Sequence, residues 1–169
     1  MYNEKTTIFG REKMKKMTTL VLFLTMMLLL KPGAFAHCEV PCGIYNDEMR
    51  FTMLEEHIAT IEKAINQITA LSKESPQNMN QIIRWVMNKE KHAEEMQHIV
   101  SQYFMTQRLK LVDKSNADAA KALMTHLTLC HEILVYAMKT KQSTDLDNVA
   151  KLKAAVQNFK GSYLKTHKH

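Results

Sequence analysis

Apolar residues recur along this chain at alternating spacings of three and four, the repeat of an α-helix that buries one face. Leu54, Ile58, Ile61, Ile65 and Ile68 form the first such stripe. Asn46 and Asp47 can cap its start, and it stops near Ser72. A second stripe is Met79, Ile83, Val86, Ala93, Met96, Val100 and Tyr103, fading over 108–112. Ser75 is a good N-cap for it, and Pro76 fits the first helical position. A third helix starts near Asp113 or Ser115, with the seam Ala120, Leu123, Leu127, Cys130, Leu134 and Ala137. Thr144 with Asp147 three residues on resembles a capping box. Leu146, Val149, Leu152, Val156, Phe159 and Tyr163 line the fourth helix behind it. Short connections force sequential helices to run antiparallel. The pattern therefore predicts an all-α fold, an up-down-up-down four-helix bundle over residues 46–166 with a tail at 167–169.

Composition agrees. Four glycines and three prolines in 169 residues leave little material for the turns of a many-stranded fold. No Gly-rich phosphate loop of either common type occurs, which argues against a nucleotide site. The net charge of +6 is concentrated at one end. Residues 1–36 hold six of the 23 Lys and Arg and two of the 17 Asp and Glu, leaving a nearly balanced 17 and 15 in the rest. No dense basic face is visible there, so nucleic acid is not an expected partner.

That basic end reads as an address. Lys13, Lys15 and Lys16 precede the apolar run over 18–30, and Ala34-Phe35-Ala36 follows. The order matches a secretory signal with an A-x-A cleavage site. The run is shorter than the ~20 apolar residues of a membrane span. Residues 1–36 are thus expected to be removed. The mature protein is expected in the periplasm or outside the cell, with no stable membrane anchor.

Cleavage after Ala36 would free the α-amine of His37, and the mature chain would begin His37-Cys38-Glu39-Val40-Pro41-Cys42-Gly43-Ile44-Tyr45. The amine, the imidazole and the amide nitrogen of Cys38 are nitrogen donors, and Cys38 and Cys42 add two thiolates. Two thiolates, an amine and an amidate make a planar set suited to Ni(II) or Cu(II), with the imidazole as an axial donor. Zinc prefers a tetrahedral set and has no redox chemistry. Pro41 restricts the backbone and Gly43 permits a positive φ, so residues 37–45 should form an irregular hook.

His-Cys-x-x-Pro-Cys-Gly-x-Tyr resembles the metal hook of nickel superoxide dismutases, matched here by His37, Cys38, Pro41, Cys42, Gly43 and Tyr45 without a gap. The resemblance implies an oxidoreductase that converts superoxide to dioxygen and hydrogen peroxide by Ni(III)/Ni(II) cycling, with one nickel ion per subunit of a homohexamer. It makes His37, Cys38 and Cys42 the nickel ligands and Tyr45 the residue lining the substrate approach. The family's best-known members carry a glutamate on the first helix where this chain has Met53. They also carry an arginine soon after a Lys-Glu pair, where Lys89-Glu90 is here followed by His92. The Met53 departure leaves an exported nickel or copper carrier or sensor without turnover as the alternative.

Other candidates have plainer explanations. Cys130 on the third seam reads as a buried free thiol. His126 lies four residues before it, but one such pair is weak grounds for a metal site. Glu95-x-x-His98 matches half of a di-iron motif whose second half is missing. Cys38 and Cys42 could alternatively form a disulfide in an exported protein.

Overall fold

The computed structural model describes residues 14–23, 25 and 43–166. The chain divides into two units, Met1–Val40 and Pro41–His169. In the first, residues 14–23 are helical and exposed. No helix among the described residues is long and apolar enough to cross a membrane. Most of the proposed signal segment lies outside those residues, as do His37, Cys38, Cys42 and the tail at 167–169.

Among the described residues of the second unit, all regular structure is helical. Its elements are α1 (Asp47–Leu71), α2 (Met79–His98), a π-helix (Ile99–Arg108) continuing α2, α3 (Ala117–Gln142) and α4 (Leu146–Thr166). Each α-helix packs on the next and α1 packs on α4, which closes the ring expected of a four-helix bundle. Asn46 caps α1, its side chain accepting from the Met49 N–H at 2.9 Å. The predicted stripe of α1, Leu54 through Ile68, is buried, and Phe51 joins it.

Several details differ from the pattern-based expectation. The second helix begins at Met79 behind Asn78, whose side chain accepts from the Gln81 N–H at 3.3 Å. Ser75 and Pro76 sit in the preceding turn, joined by a cis bond. Its stripe is buried only from Ala93 onward, while Met79 and Ile83 are exposed. In between, the buried residue is Lys89, whose Nζ donates to the carbonyls of Lys141 and Ser143 at the end of α3. A cation there suits the negative end of a helix dipole.

On α3, capped by Asn116, the core face is His126, Cys130, Ile133, Ala137 and Thr140, rotated from the predicted seam. Leu123, Leu127 and Leu134 are only half-buried. The rotation places His126 against Phe159 and Tyr163, with Ser162 Oγ at 3.2 Å from its Nε2. At the start of α4 it is the Asp145 carboxylate, not Thr144, that accepts from the Asp147 N–H, at 2.9 Å.

Candidate metal centre

The described part of the hook is Gly43, Ile44 and Tyr45. Gly43 has φ +75°, and a Cβ placed there would meet nothing within 4 Å among the described residues. The glycine therefore serves backbone conformation rather than space, as the sequence suggests. Ile44 is 81% exposed and Tyr45 36%.

Tyr45 rests on a built support. The Arg108 guanidinium lies 4.4 Å from its ring centroid, and Tyr103 meets it edge-on at 5.9 Å. Beneath them is Asp47, the first residue of α1, 6% exposed. Its Oδ1 accepts from Tyr103 Oη at 2.6 Å and Arg108 Nε at 2.8 Å. Its Oδ2 accepts from Arg108 Nη2 at 2.6 Å and Tyr163 Oη at 3.0 Å. One carboxylate thus joins the start of α1, the π-helix and the last turns of α4. The guanidinium fork is bidentate, the strongest form of this pairing.

The π-helix makes the convergence possible. Tyr103 and Arg108 are five residues apart, which on an α-helix would point them about 140° apart. Here the Leu109 N–H bonds to the Phe104 carbonyl at 2.8 Å, the wider π spacing, which brings residues i and i+5 to nearly the same face.

Electrostatics follow from these contacts. Burial alone would raise the Asp47 carboxyl. Hydrogen bonds from Arg108, Tyr103 and Tyr163 outweigh it and hold the group below the usual carboxylate range. Burial and then Asp47 push the Tyr103 and Tyr163 phenols up, so both keep their protons. A second guanidinium, Arg50, lies 4.9 Å from the Tyr103 ring centroid, and its Nη1 is 3.6 Å from Met53 Sδ. No carboxylate forms a salt bridge with Arg50 among the described residues.

Of the sequence-predicted site residues, Tyr45 is thus placed, and His37, Cys38 and Cys42 lie outside the described residues. The third cysteine, Cys130, is fully buried, and burial pushes its thiol up to about 12. It stays a thiol at neutral pH, the buried free thiol that the sequence leads one to expect. No group of three or more His, Cys, Asp or Glu among the described residues could hold a metal ion. The pattern reading missed Asp47 as more than a cap, Tyr103 and Tyr163 as more than stripe residues, and Arg108 altogether. The usable signal was two tyrosines on buried stripes, whose hydroxyls must find partners.

The family model for nickel-containing superoxide dismutase matches residues 32–167, a span that includes His37, Cys38, Cys42 and Tyr45. No curated protein and no solved structure matches the chain.

Proposed function

Because the chain belongs to the nickel-containing superoxide dismutase family, an oxidoreductase family that binds one nickel ion per subunit, we propose that it disposes of superoxide at a nickel ion held by His37, Cys38 and Cys42. The family match over most of the chain carries this reading, and the ungapped hook sequence supplies the ligands. Removal of residues 1–36 frees the His37 amine. The ligands are then that amine and imidazole, the Cys38 amide nitrogen and thiolate, and the Cys42 thiolate. The cleavage site implies export to the periplasm or beyond, and family resemblance implies a homohexamer.

When bound in such a donor set, nickel supplies a one-electron couple, Ni(III)/Ni(II), because anionic sulfur and amidate donors favour the higher state. In the overall reaction one superoxide gives up an electron and leaves as dioxygen. A second takes up that electron and two protons and leaves as hydrogen peroxide. The protein's part is to hold Tyr45 and shape the charge around it. Tyr45 follows Cys42 by three residues and is pinned by Arg108 and Tyr103. The Tyr103 hydroxyl is engaged by Asp47, so its role is support rather than proton supply. Arg50 carries a positive charge without a carboxylate partner among the described residues, a feature that would draw a small anion to this end of α1.

The test is superoxide decay with nickel-loaded mature protein. Turnover is expected, and one extra alanine before His37 should abolish it while the bundle stays folded. Full activity in the extended protein would exclude the amine ligand. Stoichiometric nickel without turnover would indicate a carrier. Arg50→Glu should lower kcat/KM and weaken its dependence on ionic strength, with nickel content unchanged.

A further inference from the structure

Two imidazoles meet across the α1–α2 seam. His57 on α1 and His92 on α2 are both half-buried, with Nδ1 atoms 2.7 Å apart and ring centroids 5.0 Å apart. At that separation a single proton lies between the two nitrogens, one ring donating and the other accepting. The remaining nitrogen of His57, Nε2, is buried and has no hydrogen-bond partner.

This is not how a purely structural histidine is wired. His126, by comparison, is buried with a hydroxyl at its Nε2 and aromatic rings on its faces. The tautomer of a histidine is normally set by the bond its other nitrogen makes. Nothing sets it for His57. Moving the bridging proton to an Nε2 position turns both rings into tautomers whose Nδ1 lone pairs face the same point.

The spacing selects a class of ion. With metal–nitrogen bonds of about 2.0–2.1 Å, two ligands in cis positions of a square-planar or octahedral ion are about 2.9 Å apart, and in a tetrahedral ion about 3.4 Å apart. The observed 2.7 Å needs only a small opening to reach the first value and a much larger one to reach the second. We propose that His57 and His92 form a second metal site, binding a divalent copper or nickel ion through their two Nδ1 atoms with water completing the coordination. The surroundings are consistent. Burial, and then the neighbouring His92, disfavour a proton on His57, which leaves its lone pair available near neutral pH. Glu95 on α2 and Glu56 on α1 act on the same ring in the sense that favours positive charge. The protein offers two side-chain ligands rather than three, so the ion is exchangeable.

The site is independent of the hook, and the experiment separates the two. Mature protein is equilibrated with nickel(II), and bound metal is counted after dialysis at several free concentrations. The wild type should hold two ions per chain, one tightly and one weakly. His57→Gln and His92→Gln, each checked for helical content by circular dichroism, should hold one. The weak affinity should drop by about 100-fold or more, beyond the 10–100-fold typical of losing an outer hydrogen-bond partner. Both variants keep His167 and His169, so binding by the tail would survive in them. Unchanged weak binding in both variants would overturn the proposal. Zinc(II) held by the pair as tightly as nickel(II) would overturn its geometry. One ion in the wild type and none in either variant would sink the hook and leave this site standing.

Discussion

The second unit holds two polar clusters between helices, and they are built on opposite principles. Around Asp47 every partner is supplied: a bidentate guanidinium and two phenols close on one carboxylate, and the rings of Phe51, Phe104 and Phe159 pack beside Tyr163. Around His57 one contact is made and one buried nitrogen is left without a partner. A saturated buried network fixes geometry, because any change orphans several groups at once. A half-satisfied one leaves a lone pair free to take up an ion. The first therefore suits a platform for Tyr45, and the second suits a place that responds to its surroundings.

The strongest way to break the contrast is to remove the hub. Asp47→Ala leaves the buried Arg108 charge and two tyrosine hydroxyls without their acceptor. Losing one partner of a buried, hydrogen-bonded pair costs about 3–5 kcal/mol. Urea denaturation should show a loss of that size, and the Tyr45 ring should lose its fixed position beside Arg108, seen as altered tyrosine fluorescence. A loss below about 1 kcal/mol, within the range of a surface ion pair, would mean the network is not the platform described.

Smaller edits sharpen the same point. Tyr103→Phe deletes the shorter of the two phenol contacts and should cost about 1.5–3 kcal/mol, as expected for a hydrogen bond to a charged group. Tyr163→Phe removes the longer contact, at 3.0 Å, and should cost less, about 1 kcal/mol. The reverse order in denaturation would indicate that Tyr163 carries the carboxylate.

How much of this was legible beforehand depends on the physics involved. Helix number, order and the α1 and α4 stripes follow from periodicity, except that Leu146 at the start of α4 is 43% exposed, because burial of one face is a local property that Leu54, Ile58, Val156 and Phe159 each express. The caps were half legible. Asn46 stands directly before its stripe, whereas Ser75–Pro76 and Asn78 both offer valid local chemistry for the next helix, and only packing selects Asn78. The start of the α2 stripe failed because Met79 and Ile83 fit the repeat yet face outward. The convergence on Asp47 was invisible because it depends on π winding, which alters the angular relation of Tyr103 and Arg108 without altering their spacing in sequence. The His57–His92 contact joins residues 35 apart on neighbouring helices, and nothing local to either announces the other.

The smallest expected effect is a pH slope, and it distinguishes the two clusters by where it falls. His57 in the folded protein resists protonation, first because it is buried and second because His92 faces it, with Glu95 and Glu56 pulling the other way. Unfolded, it takes a proton near its ordinary value of 6.5. Below that pH the unfolded chain binds more protons than the folded one, so the metal-free protein should lose stability as pH falls from 6.5 and keep it in full above. Asp47 behaves alike but lower. Its folded carboxyl lies below the ordinary 3.8, so its contribution persists down to about that pH and is lost only under stronger acid. His57→Gln should flatten the upper slope most, because it removes the buried ring itself. His92→Gln should flatten it less, since burial, the leading cause, remains. Neither should touch the lower slope, which Asp47→Asn should abolish. A wild-type stability curve already flat between pH 6.5 and 5 would show that the histidine pair opens at no cost, and the distinction between a rigid hub and a responsive pair would then rest on metal binding alone.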